Sequence, residues 1–167
     1  MRFISFLFDV CLFRAGPEDA PPGTTWTLLA ALLYLGVGLW SFSAIDRAIP
    51  PLLPTLQSMA VLSAGVAIVL GASQQLPRLP QSLTTLFGTS ALINVLATAV
   101  TELGVTGEQI SAPAALTILV LFFWGLGIDG HIFRRALDSG FGTGLVVAVM
   151  LFAINQGLLL LWLPGGA

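Results

Sequence analysis

Five long apolar runs, separated by short stretches rich in glycine, proline and charged residues, divide the chain. The runs are close to the roughly 20 residues that a helix needs to cross a hydrocarbon core of about 30 Å. Because they are continuous and do not alternate with polar residues, they favour helices over the strands of a barrel. The pattern predicts an all-α fold, a polytopic membrane bundle of five transmembrane helices. The predicted spans cover residues 26–45, 52–70, 82–103, 113–128 and 141–163.

The composition leads to the same class of protein. Of the 167 residues, 56% are hydrophobic and 8% are charged, whereas soluble domains carry about 25% charged residues. So few charges exclude an ordinary soluble domain, and the high hydrophobic fraction excludes a disordered chain. The lipid bilayer is therefore the predicted surroundings of most of the chain. The basic residues never exceed two in a row, which argues against a nucleic-acid partner.

An apolar segment precedes the spans and is too short to cross the membrane. Residues 2–14 place Arg2, Ser5 and Asp9 on one side of a helix that is otherwise mostly phenylalanine and leucine. This pattern predicts an amphipathic helix in the membrane interface, and a helix docked over the bundle explains it equally well. Because Asp9 interrupts the run and no cleavage site follows, we expect the segment to be retained. The predicted domains are an interfacial helix with a Pro/Gly-rich linker over residues 1–24 and a transmembrane domain over residues 25–167.

The arginines predict the orientation of the bundle. With five spans, five of the six arginines fall on one side of the membrane and Arg47 falls on the other. The positive-inside rule assigns the arginine-rich side to the cytoplasm. We therefore expect a multi-pass protein of a bacterial-type inner membrane, with a cytoplasmic N-terminus and the C-terminus outside. The arginines of the inner side are Arg2, Arg14, Arg78, Arg134 and Arg135.

Several polar side chains fall inside the predicted spans at similar depth. In the third span Asn94 and Thr98 share a helical face with Ser90. Polar groups in hydrocarbon either line a pathway or ligand site, or join helices through hydrogen bonds of about 0.6 kcal/mol each. Both interpretations apply to a cluster in the outer half of the bundle. The predicted members of this cluster are Gln57, Asn94, Thr98, Asn155 and Gln156.

A charged segment follows the fourth predicted span. Residues 129–138 hold His131, Arg134 and Arg135 close together, and they are expected on the cytoplasmic side. These side chains suit a docking surface or a site for an anionic lipid headgroup. Arginines that only fix the topology and reach toward the interface explain the segment as well.

Rows of small residues recur at four-residue spacing in two spans. Such rows let helix backbones approach closely, either within the chain or against a neighbouring protein. The rows are Ser63, Ala67 and Gly71 in the second span and Gly140, Gly144 and Ala148 in the fifth.

The sequence holds no pattern typical of catalysis or of metal binding. A single cysteine, Cys11, cannot form an internal disulfide, and a single histidine, His131, cannot build a multi-histidine metal site. The motifs of zinc proteases, P-loop proteins and serine hydrolases are missing. We therefore predict neither an enzyme nor a bound cofactor.

The layout resembles the Yip1-like membrane proteins. The run FWGLG at residues 123–127, followed by RRAL at residues 134–137 and a last span, is similar to the closing part of such domains. The likeness covers mainly the spacing of the spans over residues 26–163. It implies five closely spaced spans, a cytoplasmic N-terminus and a scaffold or assembly role.

Two functions follow as predictions. The first is a non-catalytic scaffold, accessory subunit or assembly factor, in contact with other membrane protein subunits or with further copies of the chain. The alternative is a small transporter or channel that uses the polar cluster. The sequence favours the first, because transport sites usually show a charge at the midplane, a broken span or repeat symmetry, and the sequence predicts no acidic residue or arginine deep in a span and no internal repeat.

Overall fold

The computed structural model describes residues 3–45, 50–106 and 109–160. These residues form six α-helices, two short 3-10 turns and one small β-hairpin between the fourth and fifth helices. The all-α fold predicted from the apolar runs is confirmed. The elements are α1 (Phe3–Cys11), a 3-10 turn (Pro17–Asp19), α2 (Thr24–Ile45), α3 (Leu52–Ala72), a 3-10 turn (Leu76–Arg78), α4 (Leu79–Gly104), β1 (Val105–Thr106), β2 (Gln109–Ile110), α5 (Ala112–Ala136) and α6 (Phe141–Leu159).

Helices α2 to α6 are each long and apolar enough to cross a membrane. Proline lies in the first turn of α4 and of α5, where its missing N–H has no partner to lose. The five helices form a closed ring in the order α2, α4, α5, α6 and α3, since each contacts the next and α3 also contacts α2. The ring places the inner faces of all five helices around one centre.

Helix α5 is longer than the sequence analysis predicts. Ile128, Ile132 and Ala136 follow one another at four-residue spacing and all are buried, so the inward face continues beyond the predicted end of the span. Arg134 and Arg135 lie in the last turn, where positive charge stabilises a helix. The fourth predicted span ends at Ile128, whereas α5 continues through residues 129–136 to Ala136; the cytoplasmic position of these residues stays a prediction.

The longer helix includes an acidic residue. Asp129 lies within α5, seven residues before the helix ends at Ala136, which is about 10 Å along the helix axis. The candidate span of Ala112–Ala136 therefore contains Asp129.

Helix α1 packs on the bundle, chiefly against α4 and also against α5. Leu7 fills the notch above Gly88 of α4, and the ring of Phe3 stacks on Trp26 with 5.1 Å between the ring centres. These contacts favour the docked helix over one that touches only the membrane interface. The opposite face of α1 is also apolar and stays exposed at Ile4 and Phe8.

One of the two predicted rows of small residues lies largely inside the chain. Gly144 faces the carbonyl oxygen of Gly130 and the backbone of Arg134, and Ala148 is buried as well. The row thus allows α5 and α6 to approach each other closely. Outward association with a partner does not have to be invoked to explain it.

Replacing Gly144 with alanine is expected to destabilise the bundle by about 1–3 kcal/mol, because the added methyl group would overlap backbone atoms of α5 that cannot move aside cheaply. Thermal unfolding of the purified protein in detergent measures this effect. Gly142→Ala is the matched control, since its methyl group would meet no atom within 4 Å. Equal stability of the two variants would contradict the close contact between α5 and α6.

Candidate functional site

A polar chamber lies at the centre of the ring. It has a volume of about 130 Å³, and each of the five spanning helices contributes at least one lining residue. Apolar residues, among them Phe133, Leu151 and Phe152, complete its walls. The polar lining residues, one from each helix, are Tyr34, Ser58, Ser90, Asp129 and Asn155.

A second cavity, the lateral cleft, runs between α4 and α5 and has a volume of about 260 Å³. Its polar lining includes Thr89 and Asn94, and it shares Ser90, Asp129 and Phe152 with the polar chamber. Asn94 is exposed, so the cleft opens at the outer surface of the bundle. Asp129 therefore lies where a central cavity and a laterally open cavity meet.

The carboxylate of Asp129 is enclosed by protein and keeps some accessible surface, because that surface faces the two cavities. Among the described residues no ion pair or hydrogen bond to this carboxylate is found. The pKa of the Cys11 thiol in α1 is raised to about 11. Burial is the larger cause, and the negative charge of Asp129 is the smaller one. Asp129 is thus an acidic group in the ring without a countercharge from the described part of the chain.

Asn155 adds a second acceptor to the polar chamber. Its side-chain oxygen Oδ1 is buried and receives no hydrogen bond within the described part of the chain. A buried amide oxygen without a donor is unfavourable by about 1–3 kcal/mol. In the described part of the chain, Asn155 Oδ1 and the carboxylate of Asp129 are thus two acceptors of the chamber that receive no hydrogen bond.

The structure separates the predicted polar cluster into several parts. Asn155 lines the polar chamber and Asn94 lines the adjoining lateral cleft. The Thr98 hydroxyl lies 2.6 Å from the Ser41 hydroxyl and joins α4 to α2. Gln57 is half-buried on α3, Gln156 is exposed on α6, and neither lines one of the two cavities.

The predicted charged segment contacts the N-terminal part of the chain, and its arginines stay partly exposed. His131 is buried, and its Nε2 lies 3.1 Å from the carbonyl oxygen of Ala15. Arg135 forms an ion pair with Glu18 at 2.5 Å. Arg134 is half-buried beside Gly144. Two of the three residues proposed for docking or lipid binding therefore hold residues 15–18 against the bundle.

Arg78 closes the same end of the bundle, here called the arginine end. Its Nη1 donates hydrogen bonds to the carbonyl oxygens of Arg135 and Ala136, the last residues of α5, at 3.0 and 3.1 Å. Its Nη2 lies 2.8 Å from Asp138, and this hydrogen-bonded ion pair lowers the pKa of the Asp138 carboxyl. Arg78 and Arg135 are thus paired with Asp138 and Glu18, and neither of these arginines forms an ion pair with Asp129.

Sequence reasoning missed Asp129, Tyr34 and Ser58 as members of a site. The available signal was the buried periodicity of α5, which continues to Ala136 and brings Asp129 into the span. Tyr34 and Ser58 carry no spacing that relates them to α5, because only the closure of the ring brings their helices together. In the described residues no group of three histidine, cysteine, aspartate or glutamate side chains could hold a metal ion.

Five apolar spans arranged in a ring define the chain as an integral, multi-pass membrane protein. Comparison with protein-family models, with curated proteins and with solved structures finds no match. The resemblance to Yip1-like proteins stays a prediction.

Proposed function

We propose that the protein is a small transporter or channel, whose ring of five helices admits a small polar solute to the polar chamber. The observation that carries this proposal is the contribution of a polar side chain from every spanning helix to one cavity that holds an acidic residue. Polar and ionisable residues within membrane helices are costly, and they commonly mark solute and ion pathways.

The heights of the chamber residues support a pathway. Asn155 lies four residues before the end of α6, whereas Asp129 lies on the opposite half, seven residues before the arginine end of α5. Ser90 lies near the middle of α4. The polar groups thus occupy about 10 Å in the middle part of the bundle axis.

Flux measured in reconstituted vesicles tests the proposal with two neighbouring residues. Asn155→Leu is expected to reduce the flux of protons or sodium ions about tenfold or more, because it removes an amide from the chamber and fills space there. Gln156→Leu is the matched control: this exposed neighbour lines neither cavity and should keep wild-type flux. Equal flux through both variants, or no flux through the wild type above that of empty vesicles, would contradict a transport function.

A second candidate function is the non-catalytic scaffold, accessory subunit or assembly factor. Its support is the exposed amide of Gln156 on α6, since a polar group facing lipid is better accommodated when a neighbouring helix covers it. Mass determination after purification in a mild detergent tests this function. A strictly monomeric particle without a co-purified protein would contradict it.

We further propose that the protein resides in a bacterial-type inner membrane with the arginine end in the cytoplasm. Arg78, Arg134 and Arg135 all lie at this end of the described chain, as the positive-inside rule requires. A reporter fused to the C-terminus and active only in the cytoplasm should be silent; an active one would contradict this orientation. The proposal includes no catalytic step.

A further inference from the structure

We infer that the polar chamber binds a small monovalent cation, a proton or a sodium ion, at the carboxylate of Asp129. This inference rests on the proposed function, because it names the ligand of the same chamber. The binding site would also exist in a bundle that binds the ion without transporting it.

The carboxylate of Asp129 has no countercharge among the described residues. Asp129 faces Tyr34 from α2 and Cys11 from α1, neither of which is positively charged at neutral pH. The described residues that α3, α4 and α6 contribute to the chamber are uncharged: Ser58 and Val61, Ser90, and Asn155 with its apolar neighbours. A carboxylate enclosed by protein without a partner is strongly unfavourable, so it must be neutralised.

The basic residues of α5 do not supply that charge. His131 contacts the Ala15 carbonyl oxygen, and Arg135 pairs with Glu18. Arg134 lies five residues after Asp129, which places it about 140° around the helix, and it does not line the polar chamber. A positive charge for Asp129 therefore has to come from a bound ligand.

Oxygen atoms dominate the polar lining of the chamber. Oδ1 of Asn155 is a buried oxygen without a donor among the described residues, and the carboxylate of Asp129 lies in the same chamber. The hydroxyl groups of Tyr34, Ser58 and Ser90 can serve as further oxygen ligands. A cavity whose one charged lining group is a carboxylate and whose other polar groups offer oxygen ligands suits a hard cation or a proton-carrying water rather than an anion.

The polar chamber is large enough for a hydrated ion and can be reached from the surface of the bundle. The polar chamber of about 130 Å³ exceeds the roughly 10–15 Å³ that one water needs, so it can hold an ion with part of its hydration shell. The lateral cleft meets the chamber at Asp129 and opens at the surface of the bundle beside Asn94. An apolar reagent dissolved in the detergent micelle can therefore reach the carboxyl group from the side.

Labelling of the full-length protein in detergent with a hydrophobic carbodiimide tests the inference. The reagent adds to a protonated carboxyl group, and mass spectrometry of the digested protein locates the adduct. We expect one adduct at Asp129 in the wild type, its loss in Asp129→Asn, and its retention in the surface control Asp138→Asn. Labelling should decrease as the pH rises.

Sodium distinguishes the two cations. At fixed pH, suppression of the label by sodium chloride but not by choline chloride identifies the sodium ion, whereas equal labelling in both salts identifies the proton. Absence of the Asp129 adduct at every pH, or labelling there that responds to neither pH nor sodium, would overturn the inference.

If the label behaves as expected while the vesicles show no flux, the transport function fails and the binding site stands. If flux persists without the label, the binding site fails.

Discussion

Replacing Asp129 with asparagine is expected to reduce cation flux into reconstituted vesicles by about tenfold or more. The amide has nearly the same shape as the carboxyl group, so the chamber keeps its volume, but it carries no charge to stabilise a cation or to hold a proton. A pH-sensitive dye or radioactive sodium inside the vesicles measures the rate. The difference in rate from the wild type measures the effect of removing the charge of Asp129, the one acidic residue among those that line the polar chamber.

Asp138→Asn provides the control for this experiment. Asp138 is exposed at the arginine end and pairs with Arg78, so its replacement removes the same charge without touching the chamber. We expect near wild-type flux from this variant. We also expect Asp129→Asn to unfold at or above the wild-type temperature, because it removes an unpaired charge. Unchanged flux in Asp129→Asn would contradict a role of the Asp129 carboxylate in cation flux. Equal losses of flux in both variants would show that the loss is not specific to the polar chamber.

The second large effect concerns the N-terminal helix. Val10 of α1 is completely buried, while Phe8 is 55% exposed on the opposite face. Val10→Asp should therefore destabilise the protein by about 3–5 kcal/mol, because it places an unpaired charge between α1 and the bundle. Thermal unfolding in detergent, followed by circular dichroism, measures the loss.

Phe8→Asp is the matched control, because it introduces the same side chain two residues away on the outer face. We expect this variant to change the unfolding temperature of the detergent-solubilised protein only slightly. If α1 were bound to the membrane interface alone, Val10→Asp would leave the bundle as stable as Phe8→Asp does. Such an outcome would contradict the docked position of α1.

The number and approximate position of the spans could be predicted from the sequence, because burying apolar side chains in lipid requires continuous apolar runs of a fixed minimum length. The third predicted span falls on α4 with shifted ends, and the fifth begins with α6 at Phe141, while its predicted end at residue 163 lies outside the described residues. The predicted spans end where charge or proline interrupts the hydropathy. That criterion works for α3, which is preceded by the prolines at residues 50 and 51.

The same criterion fails at α5. The sequence analysis ends the fourth span at Ile128 because Asp129 follows, yet Ile132 and Phe133 continue the buried face of the helix. By hydropathy, Asp129 marks the end of a span. In the folded chain α5 packs against α4 and α6, and Asp129 faces inward and lines the polar chamber. The expected absence of a charge deep in a span is one of several reasons for ranking the scaffold above the transporter, and the position of Asp129 in the polar chamber weakens that reason.

Contacts between distant segments account for the rest of what the sequence could not show. The hydrogen bond from Trp124 Nε1 to the Cys11 carbonyl oxygen joins residues 113 positions apart. Neither local periodicity nor charge counting relates these residues, so the docked position of α1 stayed one of two alternatives. The partners of His131 and Arg135 in the N-terminal segment were hidden for the same reason.

The most direct test of a cation-binding carboxyl group in the polar chamber is infrared difference spectroscopy of the protein in vesicles. Spectra of the wild type and of Asp129→Asn are compared while the pH is changed, with and without sodium. We expect a carboxyl band in the wild type that changes with pH or sodium and is missing in the variant. Identical difference spectra of the two proteins would contradict the assignment of Asp129 as the cation-binding residue.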